Sequence, residues 1–222
     1  MTEPTKNVPT PAATWRTADS FVVSAATNVF ERVYSLTPFG IAEIVVFGSK
    51  PTSYFFVDAW VLVHMVLSII AWSIVSPGMG GFWQGVIFIY ACWRVFEICI
   101  YNMRQMLGAH SKIPVPNTVR SKRRSFLLAL LNYAEVLFWF AAVYRVLAPS
   151  FGSNSEFVST ATGSFYFSIL TMATYGDITP KTTVAQWLVA VHLVISLFIT
   201  LGVLARFVSL LPRPKSLDNA ED

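Results

Sequence analysis

The stretch TMATYGDITP, residues 171–180, lies between two long apolar segments of the chain. Both segments, about 125–147 and 184–210, are long enough to cross a bilayer as helices. The apolar run just before the stretch, SFYFSIL at residues 164–170, predicts a short helix. A glycine and a proline within the stretch indicate irregular backbone, which membrane depth tolerates only where protein or water satisfies it. The order of elements is therefore a span, a short helix, a loop and a second span.

The loop resembles that of the pore module of the potassium-channel superfamily, and the resemblance covers about residues 125–211. In that family the loop reads Thr-x-x-Thr-Val-Gly-Tyr-Gly-Asp-x-x-Pro. This chain matches it from the two ends inward, at Thr171, Thr174, Tyr175, Gly176, Asp177 and Pro180. The Val-Gly pair in the middle has no counterpart. Because extended backbone advances about 3.3 Å per residue, the loop is shorter by roughly 6 to 7 Å.

The resemblance implies a tetramer, because one loop per chain cannot enclose a pore. Backbone carbonyls and threonine hydroxyls of the loop would then replace the hydration shell of the ion. The C-terminal end of the short helix, about 160–173, carries partial negative charge and favours a cation near it. On this basis the selectivity filter and ion-binding residues are Thr171, Thr174, Tyr175, Gly176 and Asp177. Four Asp177 carboxylates would concentrate cations at the outer mouth.

The shortened loop can be placed in two registers. In the first, Thr174-Tyr175-Gly176 forms the whole filter. In the second, the short helix unwinds early and residues 172–176 fill the full length. The second register puts Thr174 where the family has glycine, and a β-branched residue disfavours a positive φ. The sequence therefore favours the first register, which predicts a short filter with weaker discrimination of K⁺ from Na⁺.

Composition places the chain among integral membrane proteins. Of its 222 residues, 55% are apolar and 13% are charged, whereas soluble domains are nearer a quarter charged. The charges are also segregated, which leaves uncharged stretches long enough for several spans. We predict an all-α fold with four transmembrane helices per chain. A re-entrant pore helix and the filter loop lie between the third and the fourth helix.

The same pattern divides the chain into segments. Residues 1–19 form a polar tail that we expect to be disordered. Residues 20–48 are predicted to form amphipathic or interfacial helices, because apolar side chains of 20–36 fall on one helical face and the apolar run 39–47 is too short to span. Ordinary packed helices of a cytoplasmic collar are the open alternative. The remaining segments are a two-helix transmembrane unit at 53–101, a basic cytoplasmic connector at 102–124, the pore module at 125–211 and a short cytoplasmic tail at 212–222.

Basic residues indicate the orientation in the membrane. The connector holds Arg104, Lys112, Arg120, Lys122, Arg123 and Arg124. With four spans, the connector and both termini share one side, and Lys181 is the basic residue in the loops of the other side. The positive-inside rule then predicts a multi-pass protein of the cell membrane with both termini cytoplasmic. Anionic lipid headgroups are expected partners of Arg120, Lys122, Arg123 and Arg124.

Further candidate residues lie inside the predicted spans. Arg94 and Glu97 are three residues apart and can pair on one helix face, because a charge at membrane depth needs a partner. Glu135 of the third span is a second partner for Arg94, which would pack the second span against the third. Gly202 and His192 of the last span are candidates for pore lining or gating. A cavity-facing histidine could sense pH, whereas a buried neutral histidine is the favoured alternative.

The predicted function is passive conduction of monovalent cations, K⁺ and also Na⁺, by a homotetramer in a lipid membrane. A non-selective or divalent-permeable channel is one alternative, since hard cations take oxygen ligands. A non-conducting membrane interaction protein with a degenerate pore fold is another.

Other functions are disfavoured by what the spans and motifs lack. His64, His110 and His192 lack metal-ligand spacing, so we expect no enzyme, no cofactor and no metal beyond permeating cations. Nucleic acid is not an expected partner, because the basic residues sit beside apolar spans. The second span shows no Arg or Lys at every third position, so voltage sensing of that kind is not expected.

Overall fold

The computed structural model describes residues 21–48, 52–106, 122–176 and 178–211, and within these ranges the chain is helical and has no strand. The elements are α1 Phe21–Ser35, α2 Pro38–Phe47, α3 Tyr54–Ile74, α4 Gly81–Met106, α5 Lys122–Val146, a 3₁₀ helix Ala148–Asn154, α6 Ser155–Ser159, α7 Ala161–Met172 and α8 Thr183–Val208. The predicted tails 1–19 and 212–222 lie outside the described residues, as does most of the basic connector.

Four of these helices, α3, α4, α5 and α8, are long and apolar enough to cross a membrane. This confirms the predicted all-α protein with four spans, with α7 between the third and the fourth. Helix α4 continues to Met106, whereas the predicted span ended at Tyr101. Polar side chains in this last stretch find partners, since Asn102 Nδ2 donates to the Ile98 carbonyl at 2.8 Å. The helix therefore does not stop where the apolar run stops.

Helix α5 is the centre of the bundle, where it packs against α3, α4, α7 and α8. Within the chain, 56% of its most apolar window is buried, against 22% for α3 and for α8. Val136, Ala141 and Ala142 on α5 are fully buried, and the small alanine side chains let neighbouring helices approach closely. Helices α3 and α8 keep wide apolar faces on the outside of the single chain.

Helices α1 and α2 form a hairpin that packs against α3 and α4. The turn is built by Thr37, whose hydroxyl donates to the Tyr34 carbonyl at 2.8 Å and accepts from Gly40 N at 3.2 Å. Position 40 accepts only glycine, since a Cβ there would lie 2.1 Å from the Tyr34 carbonyl oxygen. Phe39 inserts among the aromatic rings of Tyr34, Phe56, Trp60 and Tyr101. The hairpin is therefore anchored by an aromatic cluster as well as by its turn.

Tyr34 adds polar contacts to the same hairpin. Its hydroxyl donates to Glu43 at 2.6 Å, and the Arg104 guanidinium lies 4.0 Å from its ring centroid. Burial and the Glu43 carboxylate raise the pKa of Tyr34 well above its usual range, so the hydroxyl remains a donor at physiological pH. Arg104 also pairs with Glu31 at 2.9 Å, which joins α1 to the end of α4.

The segment between α5 and α7 is folded into the 3₁₀ helix and α6 and supports the loop region. Phe151 and Val158 are fully buried beneath it. The Ser150 carbonyl accepts from Lys181 N at 2.9 Å, and a Cβ on Gly152, where φ is +60°, would lie 2.7 Å from Lys181 Cγ. The chain after the 171–180 stretch is thereby held against the 3₁₀ helix that follows α5.

Candidate pore site

The pore helix α7 begins at a capped and tightly packed N-terminus. Thr160 is the N-cap, and its hydroxyl accepts from Gly163 N at 2.9 Å. A Cβ on Gly163 would lie 2.0 Å from the Phe157 carbonyl oxygen, so only glycine fits between α6 and α7. Trp72 Nε1 donates to the Ala161 carbonyl at 3.0 Å, which ties this end of α7 to α3. The start of the pore helix is therefore fixed by three different contacts.

The C-terminus of α7 is closed by a hydrogen-bonded cap rather than by an extended chain. The Tyr175 N–H donates to the Leu170 carbonyl at 2.8 Å, and the Thr174 N–H donates to the Thr171 carbonyl at 3.0 Å. Thr174 has φ +61°, the only positive φ outside glycine among the described residues. This is a Schellman motif, in which glycine is the usual residue at the left-handed position.

The cap corrects part of the register argument. Helix α7 runs to Met172, so the early unwinding of the second register is not seen. Thr174 nevertheless adopts the left-handed conformation that the β-branched side chain was expected to avoid. Two hydrogen bonds to the last turn of the helix offset the strain of that conformation. Thr174 thus belongs to the helix cap, and the chain that follows the cap begins at Tyr175.

The structure brings three of the five predicted filter residues together. Thr174, Tyr175 and Gly176 are exposed, with Tyr175 at 63% of its full surface, and they lie at the partly negative C-terminal end of α7. Thr171 does not join them, because it is 3% exposed and its hydroxyl donates to the Phe167 carbonyl at 2.8 Å. Asp177 lies outside the described residues.

A buried polar contact behind the pore helix was missed by sequence reasoning. The Tyr144 hydroxyl of α5 lies 2.8 Å from His192 Nδ1 of α8, and the Tyr144 ring packs against Phe167 of α7 with ring centroids 4.6 Å apart. The imidazole of His192 stacks on Phe140, with ring centroids 3.7 Å apart. These contacts join α5, the pore helix α7 and α8. Tyr144 belongs to no motif, so only the packing identifies it.

Gly202 and His192 both lie on the face of α8 that packs against the chain itself. Both are buried, together with Ser196 and Ile199 on the same face. The exposed residues of α8 form an apolar stripe: Val184, Trp187, Val191, Val194, Leu197, Leu201 and Leu204. The stripe, rather than the two residues predicted for pore lining, is therefore the face that α8 presents to its surroundings. His192 takes the buried position that the sequence favoured.

Arg94, Glu97 and Glu135 meet in one buried cluster. The Arg94 guanidinium donates to both oxygens of Glu135, at 2.6 and 2.9 Å, and to Glu97 at 2.5 Å. Their exposed fractions are 4%, 2% and 0%. One cation faces two carboxylates here, and two further hydrogen-bond donors help to stabilise the negative charge. Phe39 N donates to Glu97 at 2.5 Å, and Trp139 Nε1 donates to Glu135 at 3.0 Å. Glu97 thereby also caps the positive N-terminus of α2.

Arg145 is a second buried cation that the sequence did not assign. Its guanidinium donates to the carbonyls of Trp72, Ser73 and Ser159, the latter two at 3.2 and 3.1 Å. Those carbonyls end α3 and α6, where the helix dipoles place partial negative charge. One side chain therefore satisfies carbonyls at the C-terminal ends of both α3 and α6.

Polar contacts also join the opposite ends of the spans. Arg206 of α8 donates to Asn102 Oδ1 at 2.9 Å and to Gln105 Oε1 at 2.7 Å on α4. Arg124 of α5 pairs with Asp58 of α3 at 2.5 Å. The C-terminal end of α8 is thus joined to α4, and the start of α5 is joined to α3.

Two spans joined by a short, largely buried helix and an exposed capped loop define the class of pore-loop membrane proteins. Residues 127–213 match the family model described as ion channel. The match runs through α5, α7, the loop and α8, and it confirms the resemblance to a potassium-channel superfamily pore module. The C-terminal part of this multi-pass membrane protein is therefore similar to an ion-channel pore module. No curated protein and no solved structure matches the chain significantly.

Proposed function

We propose that four copies of the chain surround one axis and conduct cations passively between the capped loops. The observation that carries this proposal is the end of α7, where the exposed residues 174–176 lie at the partly negative C-terminus of a helix between two spans. Irregular backbone at this depth needs protein or water around it, and a central aqueous pore supplies both. The apolar stripe of α8 would line the pore below the loop or contact a neighbouring copy.

The proposed pore discriminates weakly between K⁺ and Na⁺. Because α7 keeps its helical form through Met172, the loop available for carbonyl coordination is short. Fewer coordinating layers replace less of the hydration shell of the ion, which reduces the energetic difference between two cations. Permeation by divalent cations is the nearest variant of this proposal, because the predicted ring of Asp177 carboxylates offers hard oxygen ligands.

We place the protein in the cell membrane with both termini cytoplasmic, as the basic connector indicates. The exposed apolar residues Ile41, Ile44 and Val45 of α2 favour an interfacial position for the hairpin. Among the residues proposed to meet anionic lipid, Arg123 is exposed, whereas Arg124 is engaged with Asp58. Arg120 lies outside the described residues.

The test is the reversal potential of the purified protein in liposomes or planar bilayers, with K⁺ inside and Na⁺ outside. We expect a cation current that reverses between zero and the K⁺ equilibrium potential. A matched variant, Tyr175→Ala, changes the first residue after the cap and should shift the reversal potential, whereas Phe157→Leu on the surface of α6 should not.

Two results would contradict the proposal. Reversal at the K⁺ equilibrium potential would refute the weak selectivity and leave a working K⁺ filter. Absence of current from correctly assembled tetramers would favour a non-conducting interaction protein with a degenerate pore fold.

A further inference from the structure

A small cavity lies beside the Arg94–Glu97–Glu135 cluster, where all of the first five helices meet. Its volume is ≈ 20 Å³, and its lining includes Tyr34, Phe39, Trp60, Arg94, Glu97 and Asn132. A cavity measured this way needs about 10–15 Å³ to hold one water molecule, so there is room for one.

Two buried polar atoms of residues on this lining make no hydrogen bond within the described part of the chain. They are Trp60 Nε1, which is a donor, and Asn132 Oδ1, which is an acceptor. Asn132 is 3% exposed, so bulk water does not satisfy it. Buried polar atoms almost always have a partner, because leaving one unpaired forfeits its hydration without compensation. A donor and an acceptor beside one water-sized space are complementary to a water molecule.

Glu97 supplies the third partner that a buried water normally has. Its carboxylate accepts from Phe39 N and from Arg94, each at 2.5 Å. A carboxylate has about four acceptor positions, so Glu97 can accept one bond more. A metal cation fits the same space poorly, because the indole N–H of Trp60 and the guanidinium of Arg94 both belong to the lining.

We propose that this cavity binds one ordered water molecule. The water accepts from Trp60 Nε1 and donates to Asn132 Oδ1 and to the Glu97 carboxylate. It joins α3, α4 and α5 at the point where Glu97 caps α2. The site is separate from the pore loop, so its occupancy does not depend on the proposed conduction.

A double-mutant cycle on the purified full-length protein tests the site. Trp60→Phe removes the donor and keeps an aromatic ring, and Asn132→Leu removes the acceptor at similar volume. Each variant should raise the unfolding equilibrium constant, because each deprives the water of a partner. If the two residues share one water, the increase of the unfolding constant in the double variant should be about tenfold smaller than the product of the two single increases, because their effects are coupled. Ser196→Ala is the matched control, since Ser196 Oγ is also buried and has no partner among the described residues, but does not line the cavity. In the double variant Ser196→Ala/Trp60→Phe, the change of the unfolding constant should equal the product of the two single changes.

A dry cavity gives the opposite result. Removal of an unpaired acceptor by Asn132→Leu would then leave the unfolding constant unchanged or lower it, and its effect would multiply with that of Trp60→Phe. A dependence of the unfolding constant on K⁺, Na⁺ or choline that Asn132→Leu abolishes and Tyr175→Ala retains would assign the cavity to a metal ion and overturn the proposal. If Asn132→Leu does not fold, a density map of the wild-type protein at a resolution that shows ordered waters tests the site by itself. A peak between the two atoms supports the site, and an empty cavity refutes it.

Discussion

At the scale of single residues, Thr174 determines how the pore helix ends. Its positive φ closes the Schellman motif, although a β-branched side chain disfavours that conformation. The Val-Gly pair of the family to which the loop is similar has no counterpart in this chain. The left-handed position is occupied by Thr174 and not by a glycine.

We expect Thr174→Gly to stabilise the folded protein. The left-handed conformation costs an ordinary residue about 1–2 kcal/mol, and glycine returns part of this through its larger entropy in the unfolded chain. The free energy of unfolding should rise by about 0.5–1 kcal/mol, measured by denaturant unfolding in detergent. Thr179→Gly, in the same loop but without a positive φ, is the control and should give no gain. Equal effects of the two substitutions would show that the cap is not strained.

At the scale of elements, the sequence predicted what depends on local pattern. Long, mainly apolar runs identified all four spans, and the predicted pore helix 160–173 differs little from α7, Ala161–Met172. The Schellman cap could not be predicted, because its left-handed residue is a threonine rather than a glycine. Nor could the contact of Glu97 with the start of α2, which joins residues 58 positions apart and follows from packing alone. The Arg94–Glu135 contact was accessible because a buried charge requires a partner.

The junction between α6 and the pore helix α7 has a single tolerated residue type at Gly163. A Cβ there would lie 2.0 Å from a backbone oxygen that cannot move without shifting α6. We expect Gly163→Ala to lower the free energy of unfolding by about 1–3 kcal/mol, as overpacking does. Gly85→Ala in the interior of α4 is the matched control, because its Cβ meets no atom within 4 Å and alanine favours the helix. A similar loss in both variants would argue against close packing at Gly163.

At the scale of the whole molecule, the orientation follows from the distribution of basic residues and is directly testable. After Cys92→Ala and Cys99→Ala, a single cysteine is introduced by Ser153→Cys before α6 or by Ser216→Cys in the C-terminal tail. A membrane-impermeant thiol reagent applied to intact cells should label the first and spare the second, because positive-inside bias keeps the tail cytoplasmic. The reverse labelling would invert the topology and place the capped loop on the cytoplasmic side.

The contact between Glu97 and the N-terminus of α2 has a consequence for biosynthesis. The ribosome adds Phe39 58 residues before it adds Glu97, whose carboxylate accepts from Phe39 N. During that interval Phe39 can pack against Phe56 and Trp60 of α3, but the N-terminus of α2 lacks the Glu97 carboxylate. Helix α4 then supplies the Glu97 carboxylate and the Tyr101 ring, both of which contact Phe39. The N-terminal hairpin is thus the first part of the described chain to be made, but its contact with Glu97 forms only after α4 has been added.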